Sequence, residues 1–239
     1  MTRALTRTNF HSSKLIRVLS DLAVVDAVEP GTAFAEKLGL WLNLHDAINL
    51  CAALNESSAD QSSAKFGLKS ETSAAIGDEF ARVRTNLVNS ITQSCPPNLG
   101  ADYEPYRRYY AAQQRAMDSS VRPLRSSVRA VLAKASPALK TLADLDATFD
   151  AIVCERESKL LATVPLLLKR RFEQLRQAHQ QMLVDTQQTD DPALWMTAGA
   201  WLARFCHELQ TALLAELDLR LQPTVGLMEA INNEMTQHK

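Results

Sequence analysis

The chain has 239 residues, 46% of them hydrophobic, so it is long enough and apolar enough to bury a core. Its 26 Lys and Arg residues nearly balance its 27 Asp and Glu residues, and the formal charge of −1 gives the whole chain neither a nucleic-acid nor a membrane signature. Only 7 glycines occur, Ala, Leu, Gln, Arg and Glu are abundant, and no segment has a convincing strand pattern. This composition predicts an all-α protein.

The cysteines and the apolar runs indicate the compartment. Four cysteines are scattered without short spacings, which is unlike the disulfide framework of a small secreted domain and predicts free thiols in a reducing compartment. The first 13 residues lack the apolar core of a signal peptide. The longest run of apolar residues and threonine, Leu160 to Leu168, is far shorter than the ~20 residues that a membrane span needs. We therefore expect a cytoplasmic protein with no transmembrane segment.

Residues 1–99 are predicted to form a smaller N-terminal helical region. Apolar residues at helical spacing predict one helix from Ser12 and a second that Thr32 caps, and the breaker Pro30-Gly31 between them suggests a helical hairpin. A flexible linker is predicted at about residues 55–73, which are rich in Ser, Ala, Gln and Lys.

A third helix is predicted from about Thr72 to Thr92. The sequence Cys95-Pro96-Pro97 ends it, because proline cannot continue a helical hydrogen-bond ladder. This is the best candidate boundary in the chain, so we predict a second region over residues 100–239.

Residues 100–239 are predicted to form an elongated antiparallel bundle of three long helices. The first runs from Tyr103 to Lys134, and the last, from Asp190, has the most regular apolar stripe. The middle helix, Ser136 to Asp185, opens with a Ser-Pro cap signal and would span roughly 75 Å, so we expect the other elements to pack on it. The sequence leaves open whether three internal prolines kink or break these helices: Pro123, Pro165 and Pro223.

Motifs for catalysis or cofactor binding are missing from the sequence. The glycines lie too far apart for a phosphate-binding loop. His207-Glu208 begins a zinc-protease helix motif, but Thr211 occupies the position of the second histidine. We therefore predict a protein that is not an enzyme, with no catalytic residues, no cofactor and no metal site.

The most unusual segment is Tyr103 to Tyr110, which contains all 4 tyrosines, and arginines recur every seven residues from its end: Arg108, Arg115, Arg122 and Arg129. One interpretation is that this basic helix faces the acidic last helix, which we expect for Arg122 and Arg129. The other interpretation is a docking surface for an acidic partner or a nucleic acid. The candidate partner-binding residues are Tyr103, Tyr106, Arg107, Arg108, Tyr110 and Arg115.

Several stretches together resemble a bacterial family catalogued as domain of unknown function (DUF) 3348: Glu36 to Leu42, Glu79 to Arg84, Tyr106 to Tyr110, Leu160 to Pro165, Trp201 to Cys206 and Ala215 to Pro223. The resemblance runs from about residue 10 to the C-terminus. It carries over no activity, cofactor or catalytic residue. Members of that family tend to be encoded beside a proton channel of the MotA, TolQ and ExbB type and an OmpA-like peptidoglycan-binding protein. The resemblance thus implies a cytoplasmic accessory of an envelope-spanning assembly.

Two hypotheses for function follow. The first is a non-enzymatic cytoplasmic helical adaptor or scaffold that binds other proteins through exposed helix faces. The alternative is binding of nucleic acid or an anionic membrane surface through the basic Tyr/Arg face of residues 103–134. We expect protein partners and not nucleic acid, and a possible homo-oligomer, because long amphipathic helices with more than one apolar edge commonly pair.

Overall fold

The structure is a computed structural model that describes residues 14–22, 44–56, 70–93 and 100–237. These residues form helices and no strand, which confirms the predicted all-α class. In chain order the helices are α1 (Lys14–Asp21), α2 (Leu44–Glu56), α3 (Ser70–Gln93), α4 (Glu104–Ala135), α5 (Pro137–Leu161), α6 (Val164–Thr186), a short 3-10 helix (Pro192–Leu194) and α7 (Trp201–Gln237). The predicted Thr32 cap, the breaks at Pro30-Gly31 and Pro96-Pro97, and most of the linker lie outside the described residues.

The start of α5 follows the local sequence signal. Ser136 has an extended backbone (φ −154°), and its hydroxyl accepts a hydrogen bond from the Leu139 N–H at 3.3 Å. Pro137 occupies the first position of the helix, where a missing N–H costs no intrahelical bond. The predicted Ser-Pro start is confirmed.

The three internal prolines behave differently. Pro123 and Pro223 lie inside the continuous helices α4 and α7, whereas Pro165 follows a break between α5 and α6. At this break Thr163 donates both its N–H (3.0 Å) and its hydroxyl (2.6 Å) to the carbonyl oxygen of Leu160, so α5 ends and a new helix begins. The prediction of a single helix from Ser136 to Asp185 is therefore wrong, and four helices, α4 to α7, stand where three were predicted.

The connection from α6 to α7 is longer than predicted. Asp191 caps the chain as expected, accepting from the Ala193 N–H at 3.0 Å, but it starts only the 3-10 helix. Gln187 ends α6 with a positive φ of 53°, and Gly199 adopts φ +83°, a conformation that glycine takes without a steric penalty. The last helix consequently begins at Trp201 and not near Asp190.

The helices α4 and α7 form the centre of the structure. They contact each other along their lengths, α3 and α6 contact both of them, and α1 packs on α7. The helix α5 packs on α4 and α2, so the middle segment is not the element on which the others assemble. Leu15 of α1 and Ile91 of α3 belong to the same hydrophobic core as α4 to α7. The predicted division near residue 99 and the elongated antiparallel arrangement stay predictions.

Candidate protein-binding surfaces

The tyrosines at the start of α4 are inside the protein. Tyr103 is 6% exposed, and Tyr106 and Tyr110 are 0% exposed. The Tyr103 hydroxyl donates to the carbonyl oxygen of Pro165, and burial raises its pKa well above the usual value. Because these rings are enclosed, they cannot stack on a nucleobase or contact a partner. The tyrosine part of the predicted docking site is therefore wrong.

The burial of these rings has a clear cause in the packing. The Tyr106 ring lies 5.5 Å from Phe172 of α6 and 5.3 Å from Phe205 of α7, measured between ring centroids. Phe172 also contacts Phe205 at 5.0 Å and Trp201 at 5.3 Å. These tilted and edge-on contacts form an aromatic cluster that joins α4, α6 and α7.

The arginines of the predicted site are at the surface. Arg107 pairs with Glu104 at 2.6 Å, Arg108 lies 3.7 Å from the same carboxylate, and Arg115 is exposed. The hydrogen bond from Arg107 is the main reason that the pKa of Glu104 lies below its usual range. A partner-binding role for these three arginines stays a prediction.

Two other arginines of α4 tie that helix to α5. Arg125 and Arg129 both donate to Asp146 and Asp150, at 2.6 to 2.9 Å. Burial of Asp146 acts to raise its pKa, but the hydrogen bonds from both arginines outweigh it and hold the pKa below the usual range. Arg129 is thus internal to the bundle as expected, but it faces α5 and not the acidic last helix. Arg122 is 57% exposed and lies 3.7 Å from Asp118 of its own helix.

The contact between α4 and α7 contains a buried polar network that sequence reasoning missed. Glu216 of α7 is 0% exposed. Its carboxylate accepts from the Tyr110 hydroxyl at 2.8 Å, from Gln114 at 3.1 Å and from Arg220 at 2.8 Å. Arg220 also donates to Asp118 of α4. One sequence feature could have indicated this network: Glu216 and Arg220 are oppositely charged and lie four residues apart within a strongly apolar stretch.

A cleft of about 50 Å³ lies beside this network and contains Glu157, whose carboxylate forms no ion pair with any residue that the structure describes. Burial raises the pKa of Glu157 above its usual value, although Arg220 and Arg125 lower it in part. Its folded-state pKa therefore exceeds its unfolded-state pKa. The ionised form lowers stability near neutral pH, and this cost disappears below the unfolded-state pKa.

We expect Glu157→Gln to be more stable than the parent protein at about pH 7, and we expect the difference to shrink at about pH 4, where the parent carboxyl is largely protonated. Urea unfolding at the two pH values measures this. The exposed Glu229→Gln of α7 is the control and should show no such pH-dependent gain. An equal or lower stability of Glu157→Gln at neutral pH would contradict the assignment.

An open apolar groove of about 460 Å³ separates α5 from α7. Three residues of α5 at positions i, i+3 and i+7 line one wall: Leu142, Leu145 and Phe149. Pro223, Gly226 and Leu227 of α7 line the other. A Cβ atom on Gly226 would meet no atom within 4 Å, so the missing side chain leaves the groove open.

Asp146 also lines the groove, and the segments of α5 and α7 that form its walls are rich in acidic residues. Residues 141–155 of α5 contain four carboxylates and no Lys or Arg, and residues 221–237 of α7 contain two carboxylates and no Lys or Arg. The Asp146 and Asp150 carboxylates are balanced by Arg125 and Arg129. Glu155 pairs with Lys159 at 2.6 Å. Within the two segments themselves, acidic residues still outnumber basic ones.

Comparison with known protein families gives one result. The model of the family described as "Protein of unknown function (DUF3348)" matches residues 1–233. The chain belongs to this family. Neither the curated proteins nor the solved structures contain a significant match. The DUF3348 match includes both walls of the groove, the aromatic cluster and the buried Glu216 network, so all three lie within the family's own sequence.

Two general findings concern the described residues of this DUF3348 chain. None of the helices in these ranges is long and apolar enough to cross a membrane. Among the same residues, no three histidine, cysteine or acidic side chains are grouped as a metal site requires.

Proposed function

We propose that this DUF3348 protein is a non-enzymatic helical adaptor, whose groove between α5 and α7 takes a basic amphipathic helix of a partner protein. The observation that carries this proposal is the open apolar groove between two segments rich in acidic residues. Helix-in-groove binding uses apolar anchor residues one helical turn apart, and the two walls offer apolar side chains at that spacing.

The chemistry of the groove specifies the occupant. Leu142, Leu145 and Phe149 favour Leu, Ile, Val or Phe on the partner's inner face. The excess of acidic over basic residues in the two wall segments favours Lys or Arg on its flanks. A neutral or acidic helix lacks the second of these interactions.

The groove wall is held in place by the fold. Arg125 and Arg129 of α4 bind Asp146 and Asp150 of α5, so they fix the position of the helix that carries the three apolar lining residues. A wall that is already ordered loses little conformational entropy on binding, which favours affinity.

The groove can be tested with a matched pair of glycine variants. A Cβ atom has open space at Gly226, in the groove, and also at Gly77 in α3. We expect Gly226→Phe to fill the groove and weaken binding of a fluorescein-labelled Leu/Lys amphipathic peptide by about tenfold or more, while Gly77→Phe binds as the parent does. Fluorescence anisotropy measures both affinities, and circular dichroism checks that both variants keep their helices.

A Leu/Glu peptide of the same pattern is the control for charge and should not bind. Equal binding of the Leu/Lys peptide to both glycine variants would show that it sits elsewhere on an acidic surface, and this would overturn the groove assignment.

The family's expected gene neighbourhood provides natural partners for a second test. We infer that cytoplasmic segments of an envelope-spanning proton-channel assembly are the first proteins to examine. Co-purification of the neighbouring gene products with the parent and with Gly77→Phe, and their loss with Gly226→Phe, would support an adaptor role through this groove. Retention by all three proteins would exclude it.

A further inference from the structure

We propose that the outer face of α6 pairs, in antiparallel orientation, with α6 of a second copy of this chain. This goes beyond the adaptor proposal, because it uses a different surface and a different partner. The inference rests on the distribution of apolar and charged residues along α6 and on the direction of its dipole.

The outer face of α6 carries an exposed apolar residue near each end. Leu166 is 60% exposed and Val184 is 71% exposed. They are separated by 18 residues, which is five turns of a 3.6-residue helix, so both point to the same side and lie roughly 27 Å apart. The exposed residues between them on this side are polar: Arg170, Glu173, Gln177 and Gln180.

The two exposed apolar residues of α6 can contact each other when two copies of the helix pack in antiparallel orientation. When Leu166 of one copy lies opposite Val184 of the other, the two-fold symmetry creates the same contact twice. The same register brings Arg170 within about two turns of the partner's Asp185, on the same side of the helix pair. The offset along the helix axis is five residues, roughly 7.5 Å, and the long side chain of Arg170 provides most of the reach across it.

Glu173 of this face pairs with Lys169 of its own helix at 3.8 Å, whereas Arg170 and Asp185 are not in ion pairs within the described part of the chain. Among the described residues Arg170 makes no ion pair, and Asp185 accepts only a hydrogen bond from Gln181 of its own helix, at 2.8 Å. Asp185 also lies in the last turn of α6, which contains no basic residue, and negative charge at a helix C-terminus opposes the helix dipole. An antiparallel partner supplies a cation there and aligns the two dipoles favourably.

The area of the outer face of α6 limits the expected affinity of the dimer. A helix of 23 residues is roughly 34 Å long, and a strip about 10 Å wide buries roughly 700 Å² in total over both copies. Stable interfaces generally exceed about 1,200 Å². The expected species is therefore a weak, reversible dimer whose population rises with protein concentration and falls with added salt.

Charge reversal and charge exchange test the arrangement. Sedimentation velocity over a range of concentrations should show a monomer–dimer equilibrium for the parent. We expect Arg170→Asp alone, and Asp185→Arg alone, to weaken the dimer by about tenfold or more. The doubly exchanged chain should dimerise as the parent does, and a mixture of the two single variants should form a heterodimer. The control Arg82→Asp, an equal charge change on the exposed face of α3, should leave the equilibrium unchanged.

Replacing both apolar residues, Leu166→Ser with Val184→Ser, should abolish the dimer and keep the helical signal, because both side chains are exposed. A parent that stays monomeric at all concentrations would overturn the proposal. So would a dimer that persists in the charge-reversed and serine variants, or a doubly exchanged chain that fails to recover. Gly226→Phe should dimerise normally, so failure of the groove and failure of this interface are distinguishable.

Discussion

Glu216→Ala is expected to destabilise the protein by about 3–5 kcal/mol, because removing one partner of a buried ion pair leaves the other charge uncompensated. Glu216 is fully buried, and its loss would leave the side chain of Arg220, only 10% exposed, with Asp118 as its remaining salt-bridge partner among the described residues. Tyr110 and Gln114 would each lose a hydrogen-bond acceptor at the same time. Chemical denaturation followed by circular dichroism measures the change.

Two variants make this prediction specific. Glu229→Ala removes an exposed carboxylate from the same helix and should change stability by less than about 0.5 kcal/mol. The double variant Glu216→Leu with Arg220→Met should lose less than Glu216→Ala alone, since apolar replacement of a whole buried pair is often tolerated. A loss below about 1 kcal/mol for Glu216→Ala would mean that the network adds little to stability.

Phe172→Ala is expected to cost about 3–5 kcal/mol, the usual range for removing a buried aromatic ring. Phe172 is 1% exposed and is the shared member of the aromatic cluster, with ring contacts to Tyr103, Tyr106, Trp201 and Phe205. Its removal leaves a cavity where α4, α6 and α7 meet. Thermal and urea unfolding give the magnitude.

The control for this prediction lies on the same helix. Leu166→Ala removes a side chain that is 60% exposed, so its cost in the monomer should stay below about 1 kcal/mol. Phe172→Leu should fall between the two alanine variants, because leucine fills part of the cavity. Equal losses of unfolding free energy for Phe172→Ala and Leu166→Ala would contradict the conclusion that the aromatic cluster lies at the centre of the core.

The two proposed surfaces have a joint consequence. A dimer through α6 carries two α5/α7 grooves, and binding of two linked partner helices is then partly intramolecular. A partner with two basic helices would bind the dimer more tightly than a partner with one, without any new contact. Chains carrying the serine changes at Leu166 and Val184 should lose this difference and keep the affinity for a single helix.

The sequence by itself determined the features that depend on local chemistry. Helical spacing and the low glycine content predicted the all-α class, and the Ser136-Pro137 signal predicted where α5 begins, because capping and helix propensity act within one turn of the chain. The quoted family stretches likewise sufficed for the resemblance that the family match then showed.

Other features were decided by tertiary structure. Each internal proline removes the same backbone donor, yet only Pro165 follows a helix break, so the packing around α4 and α7 decides whether a helix continues. The tyrosine-rich start of α4 had the composition of a surface site. It is buried because Phe172 and Phe205 come from helices about 65 and 100 residues further along the chain.

Tertiary packing also decided which charged residues form ion pairs. Charge totals suggested that the basic α4 faces the acidic α7, but Arg125 and Arg129 bind α5, and the contact with α7 contains Glu216 and Arg220 instead. Coulomb attraction between exposed charges is weak in water and does not select a partner helix. Burial of apolar surface selects it, and the charged side chains then pair with whichever partners that packing brings within a few ångströms.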